Sequence, residues 1–473
     1  MSEAVRARPA VSQQFGSAMV SDGSRLFQGI VQRDLHLNQH PERPETPPKP
    51  TAVIPFNRDT DFIQRDTILD QLHRVCSEPA SRTALVGLGG VGKSQIAIEY
   101  TYRVRDRSPE TWVFWIHASS AARYEQSFRD IADHLKLPGR RSPQTNIFQL
   151  LYVWLRGEKS GKWVLILDNV DEAGFLLHNP ASNGDGQQHR SDGRSQPLVS
   201  YLPTCQHGSI LITTRSRDVA SKLAESRNTI TVDPMNQAEA ITLAKEKLGK
   251  PDRQGDIEAI ESLVYTLEYM PLAIVQATAY ISQRAPRCSV RQYLEKFTQS
   301  DRKRASLLDY EAGQLRRDGE AKNSIIITRQ ISFDHIRQTR PSAANLLSLM
   351  SFCDRQGIPE SLLRASDEKE GTTNRPAQYR RSPALDDLGN DQESSDEDVE
   401  SDSSIDDEFE TDVSSLRDYS FISAVEDGKT FEMHSLVQLA TKRWLEAEGQ
   451  QEKWKSEFIH RLDVQLPTGA YEN

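Results

Sequence analysis

No apolar run in this 473-residue chain approaches the 18 residues that a membrane-spanning helix needs, so no segment is expected to cross a bilayer. Cysteine is scarce. Cys76, Cys205, Cys288 and Cys353 are far apart and lack metal-ligand spacing, which predicts reduced thiols and suits a cytoplasmic protein. An excess of positive charge is also missing: 58 Lys and Arg stand against 68 Asp and Glu, for a net charge of −10. A dozen of those acids lie between Asp391 and Asp412 with no base among them, and the rest of the chain is close to neutral. That balance excludes a global nucleic-acid footprint, and no nucleic-acid partner is expected. The opening Met-Ser-Glu-Ala-Val-Arg-Ala-Arg has no apolar core of the signal-peptide kind. The length, by contrast, supplies material for about two to four domains with real cores.

The chain is organised around Ala84 to Ala97, Ala-Leu-Val-Gly-Leu-Gly-Gly-Val-Gly-Lys-Ser-Gln-Ile-Ala. An apolar strand runs into a glycine-rich turn and then into a helix. The turn fits G-x-x-x-x-G-K-[ST], with Gly87, Gly92, Lys93 and Ser94 at the fixed positions. Glycines let the backbone aim several N–H groups at phosphate oxygens, and the following helix adds its positive end. Gly87, Gly89, Gly90, Val91, Gly92, Lys93, Ser94 and Gln95 are therefore the candidate phosphate cradle. Lys93 is expected at the β- and γ-phosphates and the Ser94 hydroxyl on Mg²⁺.

Around this turn, apolar strands alternate with helices. Thr83 to Val86, Trp112 to Ile116, Trp163 to Asp168, Ser209 to Arg215 and Asn228 to Val232 read as strands. Ala121 to Leu135 and Ile147 to Leu155 read as helices. This order predicts a parallel sheet with helices on both faces. Ligands on such sheets sit at the carboxyl ends of the strands, where Asp168 and Arg215 both fall. Asp168 is the candidate acid for Mg²⁺. Asn169 follows it, so no second carboxylate is adjacent, and neither Asp171 nor Glu172 is clearly placed to activate water. Pro180 to Gln196 reads as a polar surface loop.

Beyond Asp233 the pattern turns helical: Asn236 to Leu248, Asp256 to Glu268, Leu272 to Gln283 and Ser289 to Phe297, with Pro271 as a breaker between two helices. Helical pattern continues from Ile325 to Leu363. The acidic, Ser-rich segment from about Ser366 to Asp412 is expected to be disordered. Val425 to Phe431 predicts a hairpin around Asp427-Gly428, and Met433 leads a helix to about Glu448. Helices closing on a hairpin suggest a winged helix. At the other end, residues 1–54 read as a disordered tail and Pro-rich linker, in which Phe15 to Gly29 has the spaced apolar residues of a cross-β motif. The expected divisions are a nucleotide-binding domain over 55–233, a helical domain over 234–310 and a winged-helix domain over 311–448 with the insertion at about 366–412. Residues 449–473 are expected to be a linker.

Taken together, Gly87-Leu-Gly-Gly-Val-Gly-Lys-Ser94, Leu165-Ile-Leu-Asp168-Asn, Gly208-Ser-Ile-Leu-Ile-Thr-Thr-Arg215, Met270-Pro-Leu-Ala273 and Met433-His434 resemble the NB-ARC family of STAND nucleotide switches, of the fungal NOD-like receptor type. The resemblance implies an α/β P-loop NTPase followed by a helical bundle and a winged helix, with ADP or ATP and Mg²⁺ between them. It implies that Lys93 and Ser94 hold phosphates and metal and that Asp168 supports the metal. Arg215 would sense the γ-phosphate, Pro271 would pack on adenine, His434 would donate to the β-phosphate of ADP, and Arg65 would belong to an adenine-side motif. Gln64, Tyr269 and Ser435 depart from the family pattern of Gly, Gly and Asp. The implied function is an ATP/ADP-dependent signalling switch, at most a slow ATPase, which meets a protein partner or its own copies on activation. The alternatives are a P-loop ATPase motor and a nucleotide-gated transcription regulator using the winged helix. The tail, Gln465 to Asn473, resembles the linker that leads into tetratricopeptide repeats in fungal relatives.

Overall fold

Trp163-Val-Leu-Ile-Leu-Asp168 shows no polar alternation because both of its faces are covered. Trp163, Leu165 and Leu167 enter one core, and Val164 and Ile166 enter the other. The same split divides Ala84 and Val86 from Leu85, and Ile210 and Ile212 from Leu211. The computed structural model describes residues 48–178, 196–249, 254–309, 325–364, 399–425 and 428–465.

Six strands form the main sheet: β1 (Ala52–Val53), β2 (Arg82–Val86), β3 (Trp112–His117), β4 (Trp163–Asp168), β5 (Gly208–Thr214) and β6 (Thr229–Thr231). Their order is β1-β3-β4-β5-β2-β6, and every pairing is parallel. The chain therefore crosses over through helices, and the expected α/β P-loop sheet is present. Helices Ala121–His134, Ile147–Arg156 and Arg217–Leu223 cover one face. Asp66–Cys76 and Lys93–Arg107 lie on the other, which continues without a break into the helices from Gln237 onward.

Those helices run Gln237–Leu248, Gln254–Thr266, Pro271–Gln283, Val290–Gln299 and Asp301–Leu308. Capping boxes at Asn236/Glu239 and Ser289/Gln292 fix two of the starts, and Pro271 stands in a first turn where its missing N–H costs nothing. The C-terminal part contains Ile325–Thr339, Pro341–Met350, Val399–Asp418, Ser435–Ala447 and Gln451–Gln465. They flank a three-stranded antiparallel sheet of β7 (Ile358–Pro359), β8 (Ile422–Ala424) and β9 (Thr430–Met433), ordered β7-β9-β8. The hairpin pairing is there, with Asp427 itself outside the described residues.

Several expectations need correction. Residues 52–53, assigned to the tail, are edge strand β1: Ala52 and Val53 pair with Val113 and Phe114. The acidic segment is not wholly without structure. Its last part is helix Val399–Asp418, because Phe409, Val413 and Leu416 recur at helical spacing and pack inward. Asp412, buried on that helix, accepts from the Arg340 guanidinium and, at 2.7 Å, from Ser342 Oγ. Residues 449–465 are not only linker: Trp454, Phe458 and Leu462 seat helix Gln451–Gln465 on the core. The Ile325–Leu363 stretch is broken at Arg340 and again after Met350. The patch from Phe15 to Gly29, nearly all of the loop from Pro180 to Gln196, and residues 365–398 lie outside the described residues. No helix among the described residues is long and apolar enough to cross a membrane.

Candidate functional site

β2 ends at Val86 and the phosphate loop follows. Gly87 lies against the chain just past β6, where a Cβ would stand 2.2 Å from Val232 O. Val232 cannot simply step back, since its N–H donates to Val86 O at 2.7 Å. Gly92 has φ +98°, a left-handed value that suits glycine, and is the N-cap of helix Lys93–Arg107. The loop thus turns with the positive end of that helix facing its hollow. Lys93 is buried, and its Nζ donates to Gly87 O at 2.6 Å and Leu88 O at 3.0 Å.

Asp168 closes the corner beside it. Its Oδ1 accepts from Ser94 Oγ at 2.8 Å and Thr213 Oγ1 at 2.6 Å. Burial pushes its carboxyl pKa up, only partly offset by the hydrogen bonds from Thr213 and Ser94. A partly buried hydroxyl, that of Ser94, in direct contact with the buried Asp168 carboxylate forms a hard oxygen pair of the kind that suits Mg²⁺. At the end of β5, Arg215 N donates to Asp171 Oδ1 at 2.8 Å, and its Nε lies 3.1 Å from Asp171 Oδ2. Its Nη1 also donates to Ser332 Oγ at 2.8 Å, on helix Ile325–Thr339. Glu172 Oε1 is 3.3 Å from His335 Nδ1 of the same helix.

Two cavities flank the loop. One, of about 360 Å³, is lined by Phe62, Arg65, Gly92, Gln95, Pro271 and Val275 among others. Its size and mainly apolar wall suit a planar base. Arg65 is buried in its wall and donates to Asp233 O at 2.9 Å and Pro234 O at 3.3 Å. Across the rim, Lys247 Nζ meets Asp61 Oδ2 at 2.8 Å. Leu272 N donates to Gly90 O at 3.1 Å, so the turn carrying Pro271 is fastened to the phosphate loop by backbone.

The second cavity, of about 410 Å³, brings Gly87 and Leu88 together with Glu268, Arg355 and His434. His434 is the N-cap of helix Ser435–Ala447, and its Nδ1 lies 2.6 Å from Glu268 Oε2. The Glu268 carboxylate also accepts from Ser435 N, at 3.1 and 3.3 Å, and from the Arg355 guanidinium. Burial would raise the Glu268 pKa. The hydrogen bond and charge of His434, with Ser435 N–H and Arg355, outweigh it and hold the carboxyl at about 2.

A family model described as a domain of unknown function (DUF7779) matches residues 335–450, within the C-terminal part. Over 428 residues the chain is 30% identical to a "nucleotide-binding leucine-rich repeat (NLR)-like protein" of Hyaloscypha variabilis. That similarity takes in 89% of this chain. The chain has the α/β fold of a P-loop NTPase, and the relative it matches is named NLR-like. It spans 38% of the length of that relative. Among solved structures, the chain is similar to the Walker-type ATPase PABY2304 of Pyrococcus abyssi, at 12% identity, 83% of this chain, 99% of that one and TM-score 0.46. It is also similar to the ORC2 protein of Aeropyrum pernix, solved as ADPNP–ADP complexes, at 11% identity, 86% of this chain, 98% of that one and TM-score 0.44.

The structure brings Arg65, Gly90, Val91, Gly92, Gln95 and Pro271 around one cavity; Lys93 and Ser94 stand between Gly92 and Gln95 in the chain, and Ser94 bonds Asp168. His434 stands on the second cavity, with Gly87. Sequence reasoning missed Thr213, Lys247 and Glu268. Thr213 carried a signal, being a hydroxyl residue inside an otherwise apolar strand. Glu268 carried another, being a charged residue at a helix end that would suit glycine.

Proposed function

We propose that the protein is an ATP/ADP-dependent signalling switch of innate-immunity or programmed-cell-death type, closed around ADP and opened by exchange to ATP. The observation that carries this reading is that the phosphate-loop region is held from three parts of the chain. Leu272 N bonds Gly90 O, Arg65 donates to Val91 O of the loop and to Pro234 O beyond it, and Arg215 at the strand end bonds Ser332 of the C-terminal part. A nucleotide seated there would bias how all three parts pack. We read 55–233 as the nucleotide-binding domain, 234–310 as the helical domain and 311–448 as a winged helix.

In this reading Lys93 neutralises the terminal phosphates, Arg215 senses the γ-phosphate and His434 meets the β-phosphate, while Arg65 and Pro271 shape the adenine side. Ser94 and Asp168 would hold Mg²⁺, which supplies charge compensation for the phosphates. One charge-assisted bond from His434 contributes about 1.5–3 kcal/mol, whereas turning a 1:99 equilibrium to 99:1 takes about 5.5 kcal/mol. The closed state is therefore collective. Hydrolysis is slow at most, because Asn169 follows Asp168 and the Asp171 carboxylate is tied to Arg215. Opening would expose surface for a protein partner or for further copies of the chain.

The test is to purify the protein, denature it and identify the released nucleotide by chromatography. Near-stoichiometric ADP is expected, and none in Lys93→Ala. Unchanged occupancy in Lys93→Ala would overturn the site assignment. An empty protein that turns over ATP rapidly would instead make it a motor-type ATPase.

A further inference from the structure

Helix Gln254–Thr266 ends in a turn with two consecutive left-handed residues, Glu268 at φ +49° and Tyr269 at φ +56°. Glu268 N donates to Tyr265 O at 2.9 Å and Tyr269 N to Val264 O at 2.9 Å, which closes the helix. Glycine normally fills such places, since a side chain there crowds the backbone. A residue kept in a costly conformation needs compensating contacts, and these tend to be functional. Glu268 has four: two with Ser435 N, one with His434 Nδ1 and one with Arg355.

The 2.6 Å contact requires a proton between His434 Nδ1 and the carboxylate, so Nδ1 is the donor. Nδ1 is also 3.2 Å from Leu436 N, the N–H it would accept if the carboxylate were absent. Glu268 therefore decides between two arrangements of the ring. With Nδ1–H committed to a carboxylate, a further donation from Nε2 needs the imidazolium, the form that a neighbouring carboxylate favours. The same carboxylate takes Ser435 N–H at the start of helix Ser435–Ala447, where negative charge is favoured.

We propose that Glu268 is a positioning residue: it fixes the orientation and proton placement of His434, so that a second ring donor is available to the terminal phosphate of a bound nucleoside diphosphate. This rests on the reading of His434 given under Proposed function.

The experiment measures ADP and AMP affinity by calorimetry on the full chain for wild type, Glu268→Gly, His434→Ala and the double variant. Glycine suits the backbone at 268, and AMP affinity reports whether the base side still folds. The ADP-to-AMP affinity ratio should fall about tenfold or more in Glu268→Gly and in His434→Ala, with AMP affinity held within about twofold. The double variant should fall no further than either single one. If His434→Ala lowers the ratio and Glu268→Gly leaves it at wild type, the positioning role is refuted and the switch reading stands. If His434→Ala itself leaves the ratio unchanged, the phosphate role of His434 fails, and this inference with it. In the nucleotide-free protein, ¹⁵N spectra should show Nδ1 of His434 protonated in wild type and acting as an acceptor in Glu268→Gly. An unchanged Nδ1 signal overturns the inference independently of any ligand.

Discussion

Two glycines of the phosphate loop should respond differently to the same added methyl group. In Gly87→Ala the new Cβ would meet Val232 O at 2.2 Å and Val232 C at 3.2 Å. Both are backbone atoms, so no side chain can swing aside. Relief demands that Val232 move by about 1 Å, which forfeits the 2.7 Å bond from its N–H to Val86 O. Leaving that buried pair unmade costs about 1–3 kcal/mol, and Val232 and Ile230, both core residues, lose packing as well. The sum is about 3 kcal/mol or more. In Gly92→Ala the Cβ meets nothing within 4 Å, and only φ +98° is penalised, at about 1–2 kcal/mol. Hydrogen exchange read by mass spectrometry localises the difference. Peptides covering β6 should open about a hundredfold more readily in Gly87→Ala than in wild type. In Gly92→Ala the same peptides should stay close to wild type. Equal protection of β6 in the two variants would refute the claim that Gly87 is a packing requirement.

Two further outcomes follow from the turn at Glu268 and Tyr269. At Tyr269, with φ +56°, glycine should give a more stable protein than alanine by about 1 kcal/mol, the reverse of their helix ranking; thermal melts of Tyr269→Gly and Tyr269→Ala test this, and alanine ahead of glycine would refute it. Glu268, with its carboxyl held at about 2, has a folded pKa below its unfolded value, so its pairing stabilises the fold above about pH 4.5 and is lost as pH falls towards 2. The shift bounds that contribution at about 3 kcal/mol. Acid titration of unfolding should show Glu268→Gln less stable than wild type at neutral pH and equal to it near pH 2; a gap independent of pH would contradict the pairing.

The phosphate loop and the parallel sheet were legible because their physics is local and repetitive. Each buried strand is an unbroken apolar run, and the loop needs glycine at places no other residue fits. β1 was not legible: two residues after a proline-rich stretch carry no periodicity, and their pairing to Val113 and Phe114 is decided by the far partner. Helix Val399–Asp418 was hidden by its charge. Net acidity dominates the composition, while the residues that seat it, Phe409, Val413 and Leu416, are few and spaced along one face. Asp412 points the same way, since the last acid of an acidic run reads as solvated until Arg340 and Ser342 are seen to come from elsewhere in the chain. Of the site, the residues on fixed spacings were readable. Glu268 was visible only as an oddity, a charged residue beside Tyr269 where a helix end would suit glycine.

That oddity bears on how a closed state of this chain would be built. Arg215 meets Asp171 on its own side and Ser332 across. Glu268 has all of its partners across, on His434, Ser435 and Arg355. Separating the C-terminal part from the rest would leave Arg215 still held at the strand end by Asp171, whereas Glu268 would lose every compensating contact and keep its left-handed backbone. On the proposed reading the two latches therefore do different things. The Arg215 latch loses one charge-assisted hydrogen bond, about 1.5–3 kcal/mol, and stays poised at the sheet edge for a phosphate. The Glu268 latch gives up a partly buried carboxylate cluster with His434, Ser435 N–H and Arg355 together, a contribution bounded at about 3 kcal/mol, and leaves two left-handed residues uncompensated. Any ligand that opens this protein has to work mainly against the second. Its leverage on that latch runs through His434, the residue shared by the latch and the cavity beside Gly87.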